Sequence, residues 1–169
     1  MLNTKWMQKG QFMRRICSLI LIAMAGLTQP VYAIAPGENW KRLVDSEIGL
    51  SVDYPNGVFE TYSGPTDRHP GKRFRSTDGK AEFAYYAFEN KAGETPSSYL
   101  KRTLVIEQRK LIYQRIGRRF FVISSVRNGR IFYSRCIFGP RVRCIYLEYP
   151  AADKRAWDMT VTRISHSLH

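Results

Sequence analysis

The sequence predicts an α+β domain: an antiparallel sheet whose C-terminal part is a four-strand meander, flanked by helices. Three observations carry this. Four β-rich runs, "LIYQRI", "FFVISSV", "RIFYSRCIF" and "VRCIYLEY", follow one another up to Tyr149, separated by Gly117-Arg118, Asn128-Gly129 and Gly139-Pro140; Asn-Gly between such runs is a strong short-range hairpin signal. The tail "AADKRAWDMTVTRISHSLH" sets Trp157, Val161, Ile164 and Leu168 at spacings of four, three and four, one apolar stripe on a helix. Ahead of the meander, "GETPSSYLKRTLVIEQRK" offers Thr95 as an N-cap and Pro96 at the first helical position. Runs of strands bounded by helices, with neither a repeat nor a linker, fit α+β rather than an alternating α/β pattern.

Taken from the N-terminus, the chain opens on "MLNTKWMQKGQFMRR", basic and without an acid, then "ICSLILIAMAGL", then "TQPVYA" with small side chains at Val31 and Ala33. A positive start, a short apolar run and small residues at the cut are the layout of a secretory signal, cleaved after Ala33. The competing reading, a membrane anchor, needs roughly 20 apolar residues, and residues 16 to 27 supply about a dozen. Arg14-Arg15 admits a twin-arginine signal, and Met13 an alternative start. The expectation is a signal peptide over residues 1–33, a single domain over residues 34–169, a periplasmic or secreted location and no transmembrane segment in the mature chain.

Within the mature chain, "GLSVDYP" alternates Leu50, Val52 and Tyr54 with small or polar residues, a half-buried strand stopped by Pro55. "VFETY", after Asn56-Gly57, is expected to return as its partner. "SGPTDRHPGKRFRSTDGK" reads as a basic loop with a short strand at "KRFRS". "AEFAYYAFE" is a strand with aromatic side chains on both faces. The helix begun at Thr95-Pro96, the meander and the closing helix complete the order. Which sheet face the helices cover is open, because Ile131, Tyr133 and Ile137 compete with Phe132 and Phe138.

Cleavage after Ala33 removes Cys17 and leaves Cys136 and Cys144. Outside the cytoplasm an even pair of cysteines favours a disulfide. If Gly139-Pro140-Arg141 is a three-residue hairpin loop, Phe138 faces Val142 and Cys136 lies directly opposite Cys144, within bridging distance. A zinc site would need four ligands at short paired spacings, and a redox pair is more typically Cys-x-x-Cys.

The succession "DSEIGLSVDYP", "VF", "STDGKAEFAYYAFEN", "TPSSYLKR", "VRNGRIFYSR", "YLEYP" and a last helix ending "ISHSL" resembles the PsbP-like superfamily and its uncharacterised bacterial exported relatives, over nearly all of the mature chain. The resemblance implies an α-β-α sandwich and non-enzymatic accessory or binding roles. It carries over no catalytic residue and no metal-ligand set, so the manganese and photosystem associations of plant members do not transfer.

Charge is unevenly spread. Losing Lys5, Lys9, Arg14 and Arg15 with the leader leaves 23 basic and 14 acidic residues, a net +9. Between Gln108 and Leu147 stand ten basic residues and no acid, whereas residues 34 to 107 hold ten basic residues and eleven acidic ones. Alternate turns of a meander fall at the same end of the sheet. Arg115, Arg118, Arg119, Arg141 and Arg143 should therefore gather at one end, with Arg135 nearer mid-strand and Arg127 and Arg130 at the other end. Clustered guanidiniums attract anions and grip phosphate or carboxylate in bidentate fashion. The plain alternative is a solvated basic rim. Nucleic acid, the usual partner of a basic patch with aromatic platforms such as Phe120, Phe121, Phe132, Tyr133 and Tyr146, is excluded by the expected address.

No catalytic constellation stands out. His69, His166 and His169 lie in a loop and at the tail; Ser124-Ser125 sits inside a strand without the Gly-x-Ser-x-Gly elbow; Asp45, Glu47 and Asp53 are surface acids at unspecific spacing; and "HPGKRFRSTDGK" lacks the Gly-Lys-Ser/Thr end of a phosphate loop. No cofactor or metal is implied. The reading is an exported binding or accessory protein of the cell envelope, not an enzyme, whose partner is an anionic lipid headgroup, lipopolysaccharide or an acidic protein, with no role for nucleic acid. The rivals are a small envelope hydrolase and, last, an inhibitor of lysozyme-like enzymes, whose cationic targets would repel a +9 chain.

Overall fold

The computed structural model describes residues 39–62, 66, 69–107 and 111–169. The leader assigned to residues 1–33, Cys17 within it, and Arg109 and Lys110 lie outside the described residues. In chain order the elements are β1 (Trp40–Asp45), β2 (Leu50–Pro55), β3 (Phe59–Tyr62), β4 (Gly71–Ser76), β5 (Glu82–Glu89), α1 (Pro96–Glu107), β6 (Leu111–Ile116), β7 (Phe120–Arg127), β8 (Arg130–Ile137), β9 (Arg141–Pro150), a 3-10 turn (Ala151–Asp153) and α2 (Lys154–His166). The described residues all belong to one unit, Val31–His169.

The meander forms where its turns require it. Asn128 and Gly129 both have positive φ, 51° and 71°, the pair of values a type I′ hairpin needs and that Asn-Gly supplies at little cost. Neighbouring strands then pair in sequence, and β9 continues onto β5, giving one antiparallel seven-stranded sheet in the order β3-β4-β5-β9-β8-β7-β6. Gly71 sits where a Cβ would run into the Tyr85 carbonyl of β5. α1 starts as the sequence prescribes: the Thr95 hydroxyl accepts the Ser98 amide at 3.2 Å, and the Thr95 carbonyl accepts the Tyr99 amide at 3.0 Å.

One expectation is corrected. "VFETY" does not return against β2: β2 pairs with β1, Leu43 facing Val52, in a separate two-stranded ribbon. β3 instead joins the large sheet at the edge of β4. The reason is apolar. Phe59 is buried between the rings of Phe83 and Trp157, at 5.7 Å from each, and only a strand in the large sheet places it there.

The two sheet faces are covered differently. On one face α2 lays Trp157, Val161 and Ile164, with Leu168 just beyond, onto Phe83, Tyr85, Ile131, Ile145, Leu147 and Tyr149, and β2 adds Leu50 and Val52. Burying an aliphatic or aromatic side chain of this size is worth about 1.5–3 kcal/mol. The chain's tail is tied to β2 by paired backbone bonds between Ser51 and His169 (3.0 and 2.9 Å) and by the Asp53 amide donating to the Ser167 hydroxyl at 2.8 Å. On the other face α1 lays Leu100 and Tyr99 over Phe121, Phe138, Val142, Cys136 and Cys144. The rivalry over β8 resolves as alternation: Ile131, Tyr133 and Ile137 face α2, while Cys136 and Phe138 face α1. No helix among the described residues is long and apolar enough to cross a membrane.

Candidate functional site at the arginine end of the sheet

Strand register decides which arginines meet. Arg115, Val122 and Arg135 lie in one row across β6, β7 and β8, and Phe120, Ile137 and Arg143 in the next row toward the turn end. Both rows share the face that α2 covers farther along the sheet. The guanidinium carbons of Arg115 and Arg135 stand 5.6 and 5.2 Å from the centroid of the Phe120 ring, so a single aromatic ring attracts two cations. The Nε atoms of Arg135 and Arg143 are buried and make no hydrogen bond. A buried donor without a partner costs about 1–3 kcal/mol. Arg135 also acts electrostatically on its neighbour: burial raises the Tyr133 hydroxyl pKa, while the Ser165 hydrogen bond and the Arg135 charge pull it down.

The remaining candidates are partly engaged. Arg119 braces the turn, its Nε donating to the Phe138 carbonyl at 3.2 Å while the Phe138 amide donates to the Arg119 carbonyl at 2.7 Å. Arg141 has a carboxylate of its own, donating from Nε and Nη2 to Glu89 at 2.8 and 2.6 Å and from Nη1 to the Glu47 carbonyl at 3.1 Å. Arg118 is exposed in the turn. Among the described residues no carboxylate lies within ion-pair distance of Arg115, Arg118, Arg119, Arg135 or Arg143. The expected single cluster of turn-end arginines is therefore divided: Arg115 and Arg135 beside Phe120, Arg143 on the same sheet face but two strands away, and Arg119 and Arg141 fastened to the loops. Cys136 and Cys144 face each other in register with Cα atoms 4.1 Å apart, at disulfide distance.

A second feature, not legible in the sequence, occupies the α1 side. A cleft of about 950 Å³ runs beside α1 over β4, β5 and β9. His69 stacks on Phe88 at 4.6 Å and on Tyr86 at 5.6 Å. Farther along, Glu82 and Glu148 stand opposite each other on β5 and β9. Arg73 pairs with Glu82 at 3.2 Å, Arg130 pairs with Glu148, and the Tyr146 hydroxyl donates to Glu148 at 2.8 Å. Burial pushes the Glu82 carboxyl above its usual range, with Arg73 opposing and Glu148 reinforcing the shift. The two carboxylates are thus held by guanidiniums, which is the chemistry of a braced sheet surface rather than of an acid and base with a free proton path. The other acids singled out in the sequence are dispersed: Asp45 accepts the Tyr85 hydroxyl at 3.0 Å, and Asp53 accepts Arg42 at 2.8 Å. Among the described residues no three His, Cys, Asp or Glu side chains gather as a metal ion would require.

The backbone arrangement has a solved counterpart. The solution structure of cyanobacterial PsbP (CyanoP) from Synechocystis sp. PCC 6803 is similar to this chain with a TM-score of 0.58, covering 78% of this chain and 92% of that one. The fold is PsbP-like. At 13% sequence identity the likeness reaches the fold and no residue's role. No protein-family model matches the sequence, and none of the curated proteins matches it. On the PsbP-like frame the Arg115–Phe120–Arg135 group and the Glu82–Glu148 pair lie on opposite faces of the sheet.

Proposed function

We propose that the protein is exported and works as a non-enzymatic binding or accessory factor of the cell envelope, taking an anionic partner at the Phe120 end of the sheet. The observation that carries this reading is the pair of guanidiniums, Arg115 and Arg135, held on one ring without a carboxylate at ion-pair distance. Cations concentrated on one surface raise the local density of anions and their rate of encounter, and a guanidinium can meet phosphate or carboxylate in bidentate fashion. Signal-peptide removal after Ala33, a single domain over residues 34–169 and a Cys136–Cys144 bridge belong to the same proposal, since only an oxidising compartment sustains the bridge.

The test has two parts. Mass measurement of the protein recovered from the periplasm should give an N-terminus at Ile34 and a gain of two hydrogens on reduction; an intact precursor with reduced thiols overturns export. The combined change Arg115→Gln, Arg118→Gln and Arg135→Gln should abolish retention on phosphatidylglycerol vesicles, lipopolysaccharide or an acidic peptide, whichever the parent binds. Unchanged retention removes the anion site.

A further inference from the structure

β6 is an outer strand of the seven-stranded sheet; its register shift lies at its start, between Leu111 and Tyr113, and from Tyr113 to Ile116 it carries little that would protect an edge. Natural edge strands carry lysine, proline or a covering element that discourages further pairing. β6 reads Leu-Ile-Tyr-Gln-Arg-Ile. Ile112, Tyr113 and Ile116 are 59%, 49% and 41% exposed, and Val126 on the adjoining strand is 44% exposed. The Gly117 amide donates to the Phe120 carbonyl at 2.8 Å, which sets the alternation of an antiparallel pair: the amides of Arg115 and Tyr113 turn toward β7, those of Gln114 and Ile116 outward. The outward groups are the template for one more strand.

Side-chain alternation says what that strand should carry. Arg115 lies in the row of Val122 and Arg135, on the Phe120 side, whereas Ile116 lies in the row of Phe121 and Cys136, on the α1 side. The edge thus presents Arg115 and Tyr113 on one face and Ile116 and Gln114 on the other, its single cation on the Phe120 side. A flat bilayer surface meets one face of an edge strand, not both. An extended chain meets both, because its own side chains alternate in the same way.

We propose that β6 is a docking edge for an extended acidic segment of a partner protein, which adds as a further strand with a carboxylate facing Arg115 on the Phe120 side. The proposal rests on the anion-binding reading and narrows the partner to a polypeptide. Opposite charges directly across a strand pair contribute roughly 0.2–1 kcal/mol each, so backbone pairing supplies much of the affinity and charge selects the partner.

The probe is a labelled eight-residue peptide alternating glutamate and valine, added to the exported protein. Two comparison peptides alternate glutamate with proline, which keeps the charge but cannot pair, and lysine with valine. Expected are slowed hydrogen exchange at Gln114 and Ile116, binding up to about fivefold weaker for Arg115→Gln, and binding about tenfold weaker or more for either comparison peptide. Gln114→Pro removes an outward amide without breaking the β6–β7 ladder and should weaken the parent peptide equally. If that variant does not fold, the glutamate-proline comparison and the exchange data decide. Equal binding of both glutamate peptides with no protection of β6 overturns strand addition while leaving the anion site standing. No peptide binding alongside retention on phosphatidylglycerol vesicles overturns it too. Indifference of every anionic probe to Arg115→Gln combined with Arg135→Gln removes both readings.

Discussion

The sheet has two unequal halves. From β3 to β8 its α2 face is roofed by α2 and the β1–β2 ribbon, and its aromatic and aliphatic side chains are nearly all inside. At the β6–β7 end the same polypeptide leaves Ile112, Tyr113 and Ile116 in solvent and sets arginines without carboxylate partners around Phe120. Both halves are built from similar β-forming residues, so composition does not distinguish them; what covers each strand does. The roofed half stores stability and the open half keeps backbone groups and charge available, a division expected where binding must not cost the fold.

The sharpest way to break this comparison is to remove equal apolar volume from each half. Ile164 is fully buried beneath α2, and Ile164→Ala should lower unfolding free energy by about 2–5 kcal/mol. Ile112→Ala, on the exposed edge, should stay within about 0.5 kcal/mol. Urea titration of both variants reads the difference, and similar losses would mean that the edge is covered in solution. Next in size is the bridge. Replacing Cys136 and Cys144 together by serine reopens a loop with a sequence separation of 8, worth about 2–3 kcal/mol on chain-entropy grounds. Because the pair lies under Leu100 of α1, hydrogen exchange should rise first in α1 and at the start of β9. A loss spread evenly over the sheet would contradict that placement.

How much of this was legible in the sequence follows from interaction range. The meander, its register at Cys136, the Thr95-Pro96 helix start and the Trp157-to-Leu168 stripe are local patterns, each set within a few residues, and all appear where the sequence places them. Pairings made across long separations were not legible. β5 joins β9 across more than fifty residues of intervening chain, and Glu82 meets Glu148 only through that pairing; the β1–β2 hairpin is local, and it was missed because charges mask the alternation of "WKRLVD". The candidate site was half legible for the same reason. Residue counting grouped Arg115 with Arg118, Arg119, Arg141 and Arg143 and set Arg135 nearer mid-strand; register instead puts Arg135 in the row of Arg115, where the two share Phe120, and matches Arg141 with Glu89.

Alkaline titration sharpens the contrast from the buried side. Burial and the Asp158 charge push the Tyr149 hydroxyl up to about 12, and burial raises Tyr85 as well, helped by its hydrogen bond to Asp45. The folded state therefore holds these protons where the unfolded chain has released them. The stabilisation is complete below about pH 10, the unfolded value, and is lost as pH rises through the folded one; for Tyr149 this amounts to about 2–3 kcal/mol between pH 10 and 12. Denaturant midpoints measured across that range should fall steeply for the parent and less steeply for Tyr149→Phe. An identical slope in the two proteins would place Tyr149 in solvent and undo the roofed half's claim to dryness.

The smallest effect separates two arginines at the same end of the sheet. Arg141 and Glu89 are 37% and 50% exposed, and an ion pair so open to solvent is worth about 0–1 kcal/mol. Arg141→Gln should therefore change stability by less than about 1 kcal/mol and should leave retention on an anionic probe unaltered, because the guanidinium it removes was already balanced by a carboxylate. Arg115→Gln should cost as little stability, since its side chain is exposed over Phe120, yet should lower retention and flatten its dependence on salt. Stability thus fails to distinguish the two variants and binding separates them. Equal losses of retention would mean that the sheet end acts through summed charge alone, with Phe120 and the row register playing no part, and the open half would then be a basic rim rather than a site.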